Sequence, residues 1–346
     1  MTGQSGEHTL PGTYLLHLAT IAMRWQLDER ELFEGTGLTK AALADPAFQV
    51  RLPVANAFAE KVRRMTGEPG IGILLGLQTY TSAHGHLGFA AMSAMTLRQA
   101  ITLTVEYSPI RTTALAFELK VEGPRAMLVV HERADFGAVR DLMLAALLVG
   151  VWQIGNVLLG REIRESVVHL SVPAPEYYRR FQHLRPAIRF GQPEHALVFD
   201  AALLDQPLAS ADPASLRLLS EECDRRLRSL WRRTSLAERV QHLVIRIEGG
   251  LRSLDEVAVA LGMSERTLRR RLADEETSFA LLRDEALRER ATLLLRANDM
   301  SVEQISQRLG YANLGNFVRA FRRWTGQTPT SFQKAESAAD ARAARS

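Results

Sequence analysis

The chain has 346 residues, of which 46% are hydrophobic and 24% are charged, and its formal net charge is +4. This length favours two domains, and the apolar content is high enough to fill a core, which excludes a wholly disordered chain. The single cysteine, Cys223, excludes an internal disulfide framework and a multi-cysteine metal site, and it fits a reducing cytoplasm.

The first part of the chain, residues 1–208, predicts an α+β domain. Its first residues lack a basic start followed by an apolar run, so no secretory signal is expected. Apolar residues recur at helical spacing from Tyr14 to Trp25, and Leu142–Leu159 predicts a buried core helix rather than a membrane span. Strands are predicted at Ala114–Val121, Arg125–His131, Ser166–Val172 and His195–Asp200, the first two forming a hairpin around Glu122-Gly123-Pro124.

The composition changes after Pro207, where the pattern is broken by Ala209-Ser210-Ala211-Asp212-Pro213. A charged helical stretch follows, and we interpret 209–235 as a helical linker. Residues 236–335 predict an all-α domain, and the Ala-rich polar end, 336–346, predicts a flexible tail.

The all-α domain contains an internal repeat, Ser253–Gly262 and Ser301–Gly310, 48 residues apart. In each copy a Ser is followed three residues later by Glu or Gln, which predicts a capping box, and apolar residues one, four and eight positions after the Ser form one helical face. A Gly at position nine ends the helix, and a second short helix follows. This spacing predicts two helix-turn-helix units.

The second helix of the first unit presents arginines outward. Leu268 and Leu272 are four residues apart and must face the core, so Arg266 and Arg270 point almost directly away from it, with Arg269 at one edge. Guanidinium groups suit bidentate hydrogen bonding to guanine in the major groove. We therefore predict base reading by these three arginines.

The second unit is not equivalent to the first. Phe317 and Phe321 take its inward positions, so Arg319 corresponds to Arg270, whereas Gly315 stands where the first unit has Arg266. The first unit is therefore expected to supply most base discrimination, with Arg319 and Asn316 adding to it. Phosphate contacts are predicted for Ser264, Arg322 and Arg323.

A long helix, Phe279–Arg296, is predicted between the two units. A stiff helix would fix the separation of the reading helices, which must approach about 34 Å if they enter successive major grooves. One chain could then read an asymmetric site.

Residues 236–332 resemble the DNA-binding region of the AraC/XylS family. The resemblance rests on Ile305 to Leu309-Gly310-Tyr311 and on the run from Phe317 to Pro329. It implies that both recognition helices contact DNA, through Arg266, Arg269, Arg270, Asn316 and Arg319, and that the protein activates transcription. One residue departs from the family pattern: Glu276 precedes Thr277-Ser278-Phe279, where the family commonly has Gly.

The N-terminal segment, from about Thr13 to Leu208, resembles the sensor domain of AraC-type regulators related to ornithine-utilisation activators. The matching motifs are Leu52-Pro53, Gly72-Ile73-Leu74-Leu75-Gly76, His84-Gly85-His86-Leu87-Gly88-Phe89, Thr96-Leu97-Arg98-Gln99-Ala100 and the end from Phe199-Asp200 to Pro207-Leu208. This resemblance implies that the domain binds an effector. It leaves open whether the chain is a monomer or a homodimer.

The function expected from the sequence is an effector-controlled, sequence-specific transcription activator in the cytoplasm, whose partners are double-stranded promoter DNA, a small-molecule effector and RNA polymerase, with no membrane. Effector contacts are predicted for Phe89, Met92, Met95 and Tyr107. No catalytic residue, cofactor or metal is expected, because His84-Gly85-His86 has no suitably spaced third ligand. The alternative is a DNA-binding protein with an enzymatic or redox-sensing N-terminal domain, the latter using Cys223.

Overall fold

The structure is a computed structural model that describes residues 8–233, 235–244, 252–297 and 300–335. The described residues form two compact units that divide between Leu227 and Arg228. The predicted tail, 336–346, lies outside the described residues. Each unit has its own elements and core, and each is described separately.

The N-terminal unit is an α+β domain, as predicted. Its helices are α1 (Gly12–Ala22), α2 (Glu29–Phe33), α3 (Lys40–Ala44), α4 (Leu52–Thr66), α5 (Ile71–Leu77), α6 (Gly85–Ser93), α7 (Leu97–Tyr107), α8 (Arg140–Leu159) and the first part of α9 (Pro213–Arg233). Its strands are β1 (Thr9–Pro11), β2 (Gln49–Arg51), β3 (Leu115–Glu122), β4 (Arg125–Glu132), β5 (Val167–His169), β6 (Ala187–Arg189) and β7 (His195–Asp200).

The main sheet has five strands in the order β3-β4-β7-β5-β6. The predicted hairpin is present: Glu122 pairs with Arg125 across Gly123 and Pro124, and Gly123 adopts the left-handed conformation that this tight turn requires, with φ of 58°. All pairs are antiparallel except β5 with β6. Strands β1 and β2 form a separate small sheet.

Helix α8 is the predicted buried helix, and it packs on α5 at very short range. A Cβ atom at Gly72 would collide with the backbone carbonyl of Leu142, and one at Gly76 would lie 2.6 Å from Cβ of Val149. The glycines of α5 are therefore explained by close helix packing. Among the described residues, the helical segment Gly137–Leu159 is the one long and apolar enough to cross a membrane, but half of it is buried inside the protein, as in the core helix of a soluble protein.

Helix α9 covers most of the predicted linker, and its first part belongs to the N-terminal unit. The Tyr107 hydroxyl donates a hydrogen bond to Asp224 Oδ1 at 2.8 Å, and Cys223 is fully buried in the same core. The two units divide inside this helix, whereas the change in composition placed the end of the first domain at residue 208.

The C-terminal unit is entirely helical in the residues that the structure describes: α10 (Leu236–Val244), α11 (Leu254–Ala260), α12 (Glu265–Asp274), α13 (Phe279–Ala297), α14 (Val302–Arg308) and α15 (Leu314–Thr325). It has two hydrophobic clusters. The first joins α10, α11 and α12 to Leu282 of α13, and the second joins α14 and α15 to the part of α13 from Leu287 to Leu295. The long helix α13 thus holds both helical pairs.

Candidate nucleic-acid interface and ligand cavity

The two helix-turn-helix units are built with the same caps and turns. Ser253 and Ser301 both form complete capping boxes. After the first helix of each unit, Gly262 and Gly310 adopt φ of 65° and 79°. In both units the next amide reaches back five residues to a helix carbonyl, which is the Schellman arrangement that ends a helix and turns the chain.

The helix caps also establish which residues of the two reading helices correspond. Ser264 caps the N-terminus of α12 and Asn313 caps that of α15. Counting from these caps, the second position of each helix is Arg266 in one unit and Gly315 in the other. The sixth position is Arg270 in α12, and the same count in α15 gives Arg319.

The arginines of α12 form an exposed ridge. Leu268 and Leu272 are fully buried, as the spacing predicted. Arg266 and Arg270 are exposed and have no ion pair among the described residues. Arg269 forms a loose pair with Glu265 at 3.4 Å, and such an exposed pair is too weak to hold the side chain away from DNA. All three guanidinium groups are therefore available at the surface.

Helix α15 presents a smaller polar surface. Phe317 and Phe321 are fully buried, and Arg319 donates a hydrogen bond to Asn316 Oδ1, so these two exposed side chains form one polar group. Packing does not require the glycine at 315, because a Cβ there would lie 3.5 Å from Asn313 Oδ1, an ordinary contact. The difference between the units is thus one of surface chemistry.

The three residues predicted to contact phosphate lie at the surface in different settings. Ser264 accepts a hydrogen bond from the Thr267 amide and contacts its hydroxyl at 2.9 Å, so its side chain is already used as a cap. Arg323 pairs with Asp284 of α13 at 2.6 Å. Arg322 is exposed and unpaired in the described part of the chain.

The turn after α12 keeps the geometry that a glycine would give, although its residue is Glu276. Glu276 has φ of 54°, and its amide and that of Thr277 bond to Ala273 and Leu272, again in the Schellman arrangement. The corresponding turn after α15 uses Gly326. The departure from the family pattern therefore changes the residue and not the turn.

Replacing Glu276 with glycine is expected to stabilise the C-terminal unit. A left-handed residue with a Cβ costs about 1–2 kcal/mol, and the extra freedom of an unfolded glycine returns roughly 0.5–1 kcal/mol of that, which leaves a net gain of about 0.5–1 kcal/mol in the free energy of unfolding. Urea denaturation of the full chain measures it. Asp274→Gly, inside the helix two residues earlier, is the control and should be destabilising; a loss of stability in both variants would contradict the strain at Glu276.

The N-terminal unit contains a cavity of about 210 Å³. Most of its wall is apolar, with contributions from helices α1, α5, α7 and α8 and from the inner face of the sheet. Its polar side chains include Tyr14, His84 and Arg111. The Tyr14 hydroxyl lies 2.7 Å from His84 Nδ1, and the Arg111 guanidinium lies 5.2 Å from the centre of the Tyr14 ring.

None of the four residues predicted to bind effector lines this cavity. Phe89 and Met95 are 47% and 44% exposed, and Met92 packs on the outside of the core. Tyr107 is buried against α9 through Asp224, and both burial and that hydrogen bond raise its pKa. The candidate ligand site therefore moves from these residues to the cavity.

Sequence reasoning missed Tyr14 and Arg111 as site residues and considered His84 as a metal ligand. The three residues are spread over almost a hundred positions, so no local spacing connects them. The available signal was a pair of polar aromatic and basic side chains next to apolar helical positions, which is also typical of ordinary surface residues. The described residues contain no group of three or more His, Cys, Asp and Glu side chains that could hold a metal ion.

Cys223 has the properties of a core residue. Burial raises the pKa of its thiol to about 11, so the thiol is protonated at neutral pH and is a poor nucleophile. Nothing in its surroundings favours the redox-sensing alternative.

Comparison with known proteins agrees with both units. Residues 27–208 match the family described as the arabinose-binding domain of AraC transcription regulator, N-term, and residues 257–335 match a helix-turn-helix domain. The chain is 28% identical over 327 residues to the ornithine utilization regulator of Pseudomonas aeruginosa, covering 94% of this chain and 96% of that protein. It is 30% identical over 326 residues to an uncharacterized HTH-type transcriptional regulator of Mycobacterium tuberculosis, covering 92% and 94%.

The crystal structure of transcriptional regulator CdpR from Pseudomonas aeruginosa covers 93% of this chain and 98% of that chain, with a TM-score of 0.44 and 21% identity. The family match over the N-terminal domain spans more than half of the chain, and the matched helix-turn-helix domain contains both reading helices. The chain belongs to the AraC family of DNA-binding transcription regulators.

Proposed function

We propose that this regulator is an activator whose DNA binding or activation is controlled by a small molecule bound in the N-terminal cavity. The observation that carries the proposal is the apolar cavity of about 210 Å³, which lies within a domain matched as an arabinose-binding domain. An apolar cavity with a few polar side chains is the usual form of a small-molecule site. Activation requires contact with RNA polymerase, and a cytoplasmic location follows from acting on promoter DNA.

The DNA part of the proposal assigns base reading mainly to α12, through Arg266, Arg269 and Arg270. Arg319 and Asn316 of α15 add a smaller contribution. Ser264, Arg322 and Arg323 are assigned to phosphates, where they fix register rather than sequence. Because α13 packs on both helical pairs, the two reading helices are held at a defined spacing that suits successive major grooves, about 34 Å apart.

A ligand panel tests effector control on the full-length protein. Amino acids including ornithine, which the name of one relative suggests, are screened with amines, sugars and carboxylic acids for a shift in thermal stability. Any ligand that shifts stability is then tested for its effect on operator affinity and on transcription from that promoter. A ligand that stabilises the protein but changes neither would contradict effector control.

Two variants of α8 locate the site. Val151 lines the cavity, so Val151→Phe is expected to abolish the ligand-induced stability shift by filling the space. Val157 is on the same helix, is 50% exposed and does not line the cavity, so Val157→Phe should leave the shift unchanged. Equal behaviour of the two variants would place the site elsewhere.

A further inference from the structure

The polar side chains of the cavity form one connected cluster with a net positive charge. Arg111 donates from Nη2 to the Ala83 carbonyl at 3.0 Å and from Nε to the Tyr14 hydroxyl at 3.4 Å. Its guanidinium also lies over the Tyr14 ring. Nη1 has no hydrogen-bond partner, and no carboxylate pairs with this arginine among the described residues. The guanidinium therefore retains unused donors beside an apolar space.

The hydrogen bonds within the cluster determine where the hydrogen of His84 lies. Arg111 Nε can only donate, so the Tyr14 oxygen accepts from it and the Tyr14 hydroxyl hydrogen is directed to His84 Nδ1. Burial, and then the charge of Arg111, lowers the pKa of His84 to about 4, so the ring is neutral at pH 7. Its one hydrogen is then on Nε2, which is buried and has no partner.

Thr81 adds a second unsatisfied group. Its side chain is 4% exposed, it lines the cavity, and its hydroxyl has no hydrogen-bond partner. Thr81 and His84 are three residues apart in one 3₁₀ turn, where side chains at this spacing lie on the same face. Buried polar groups without partners are rare, and each one beside a cavity indicates a missing ligand atom.

These groups are matched by one ligand chemistry. The free donors are the Arg111 guanidinium and His84 Nε2–H, and the Thr81 hydroxyl can donate as well. Within the described residues that line the cavity, none has a carboxylate that could receive an ammonium group. A carboxylate would satisfy the donors, and guanidinium is the side chain best suited to bind one through two hydrogen bonds.

The rest of the cavity determines the body of the ligand. An engineered apolar cavity of about 150 Å³ holds benzene, so a cavity of about 210 Å³ has room for roughly eight to ten non-hydrogen atoms. We propose that the effector is a monocarboxylic acid with an apolar body of this size, held at its carboxylate by Arg111 and His84. This inference rests on the effector control proposed above.

Calorimetric titration of the full-length protein tests the charge of the ligand with three probes of equal chain length: octanoate, 1-octanol and octylamine. Octanoate is expected to bind about tenfold or more tightly than 1-octanol, and octylamine should bind worst. If octanoate binds no better than 1-octanol, the carboxylate proposal is overturned while binding in the cavity stands. If none of the three binds, the ligand class is wrong, and effector control is decided separately by the wider panel.

Two variants test the residues. Arg111→Gln should weaken octanoate binding about tenfold or more and leave 1-octanol binding within about twofold, because only the carboxylate uses the guanidinium. Tyr14→Phe removes the hydroxyl that orients His84 and should weaken octanoate by a smaller factor, about two- to tenfold. Binding of 1-octanol shows that each variant still folds around its cavity. An equal loss of both ligands in both variants would mean that the cluster is structural, and it would overturn the assignment.

Discussion

Replacing Arg270 with alanine is expected to lower the affinity for the preferred operator by about 1–3 kcal/mol and to relax base preference at particular positions. Arg270 is exposed on α12, one turn after Arg266, and it has no competing ion pair within the described residues. A bidentate contact from such a guanidinium distinguishes guanine from the other bases. Affinity for random-sequence DNA should change little, because phosphate contacts supply most of that binding.

Arg323→Ala is the matched control, because it removes an arginine with a different assignment. It should weaken binding to all sequences alike and reduce the slope of log affinity against log salt by about one. Its pair with Asp284 does not obscure the comparison, since an exposed pair contributes about 0–1 kcal/mol. Selection from a randomised-site library at several salt concentrations measures both effects. Indistinguishable behaviour of the two variants would contradict the division into base reading and phosphate binding.

The helical pairs of the C-terminal unit could be predicted closely from sequence because their signals are local. A capping box, an apolar face and a glycine in the left-handed conformation all lie within ten residues, and the structure has each of them at both copies. The inward positions of Leu268, Leu272, Phe317 and Phe321 followed from helical spacing alone.

The motif that carried the family resemblance mostly encodes packing. Phe317 stacks between Tyr311 and Phe321 with ring centres 5.5 Å and 5.8 Å apart, and Phe321 contacts Phe332 edge-on. These aromatic residues make the second cluster of the unit. They identify the fold, and the exposed residues between them, such as Asn316 and Arg319, are where members of one family can differ in what they read.

The N-terminal domain was predicted less completely. Strands β1, β2 and β6 were missed because each has three residues, which is too short for alternation to be visible. The position of α9 was missed because its contacts to the core, such as Tyr107 with Asp224, join residues 117 positions apart. The cavity could not be predicted for the same reason: its polar cluster exists only after α1, the turn at Thr81–His84 and the residues after α7 meet.

Gly72→Ala is expected to lower the free energy of unfolding of the N-terminal unit by at least about 2 kcal/mol. A methyl group there meets the backbone carbonyl of Leu142, which cannot turn aside as a side chain does, and forced overpacking costs about 1–3 kcal/mol or more even when side chains can adjust. Gly155→Ala on α8 is the control. Its methyl would meet the mobile end of Ile163 at 3.0 Å, and the roughly 1 kcal/mol gained by alanine in a helix should offset that contact.

Urea denaturation of the full chain, followed by amide exchange in α8, measures this difference. Equal stability of Gly72→Ala and the native protein would show that the two helices can separate without cost. The expected separation has a consequence for function, because α5 and α8 both line the cavity, through Leu75 and Leu147 among others. Moving α5 outward enlarges the space around a bound ligand and removes contacts from its apolar body. Gly72→Ala should therefore weaken octanoate and 1-octanol alike, whereas Arg111→Gln affects octanoate alone, so the two variants separate the contribution of cavity shape from that of charge.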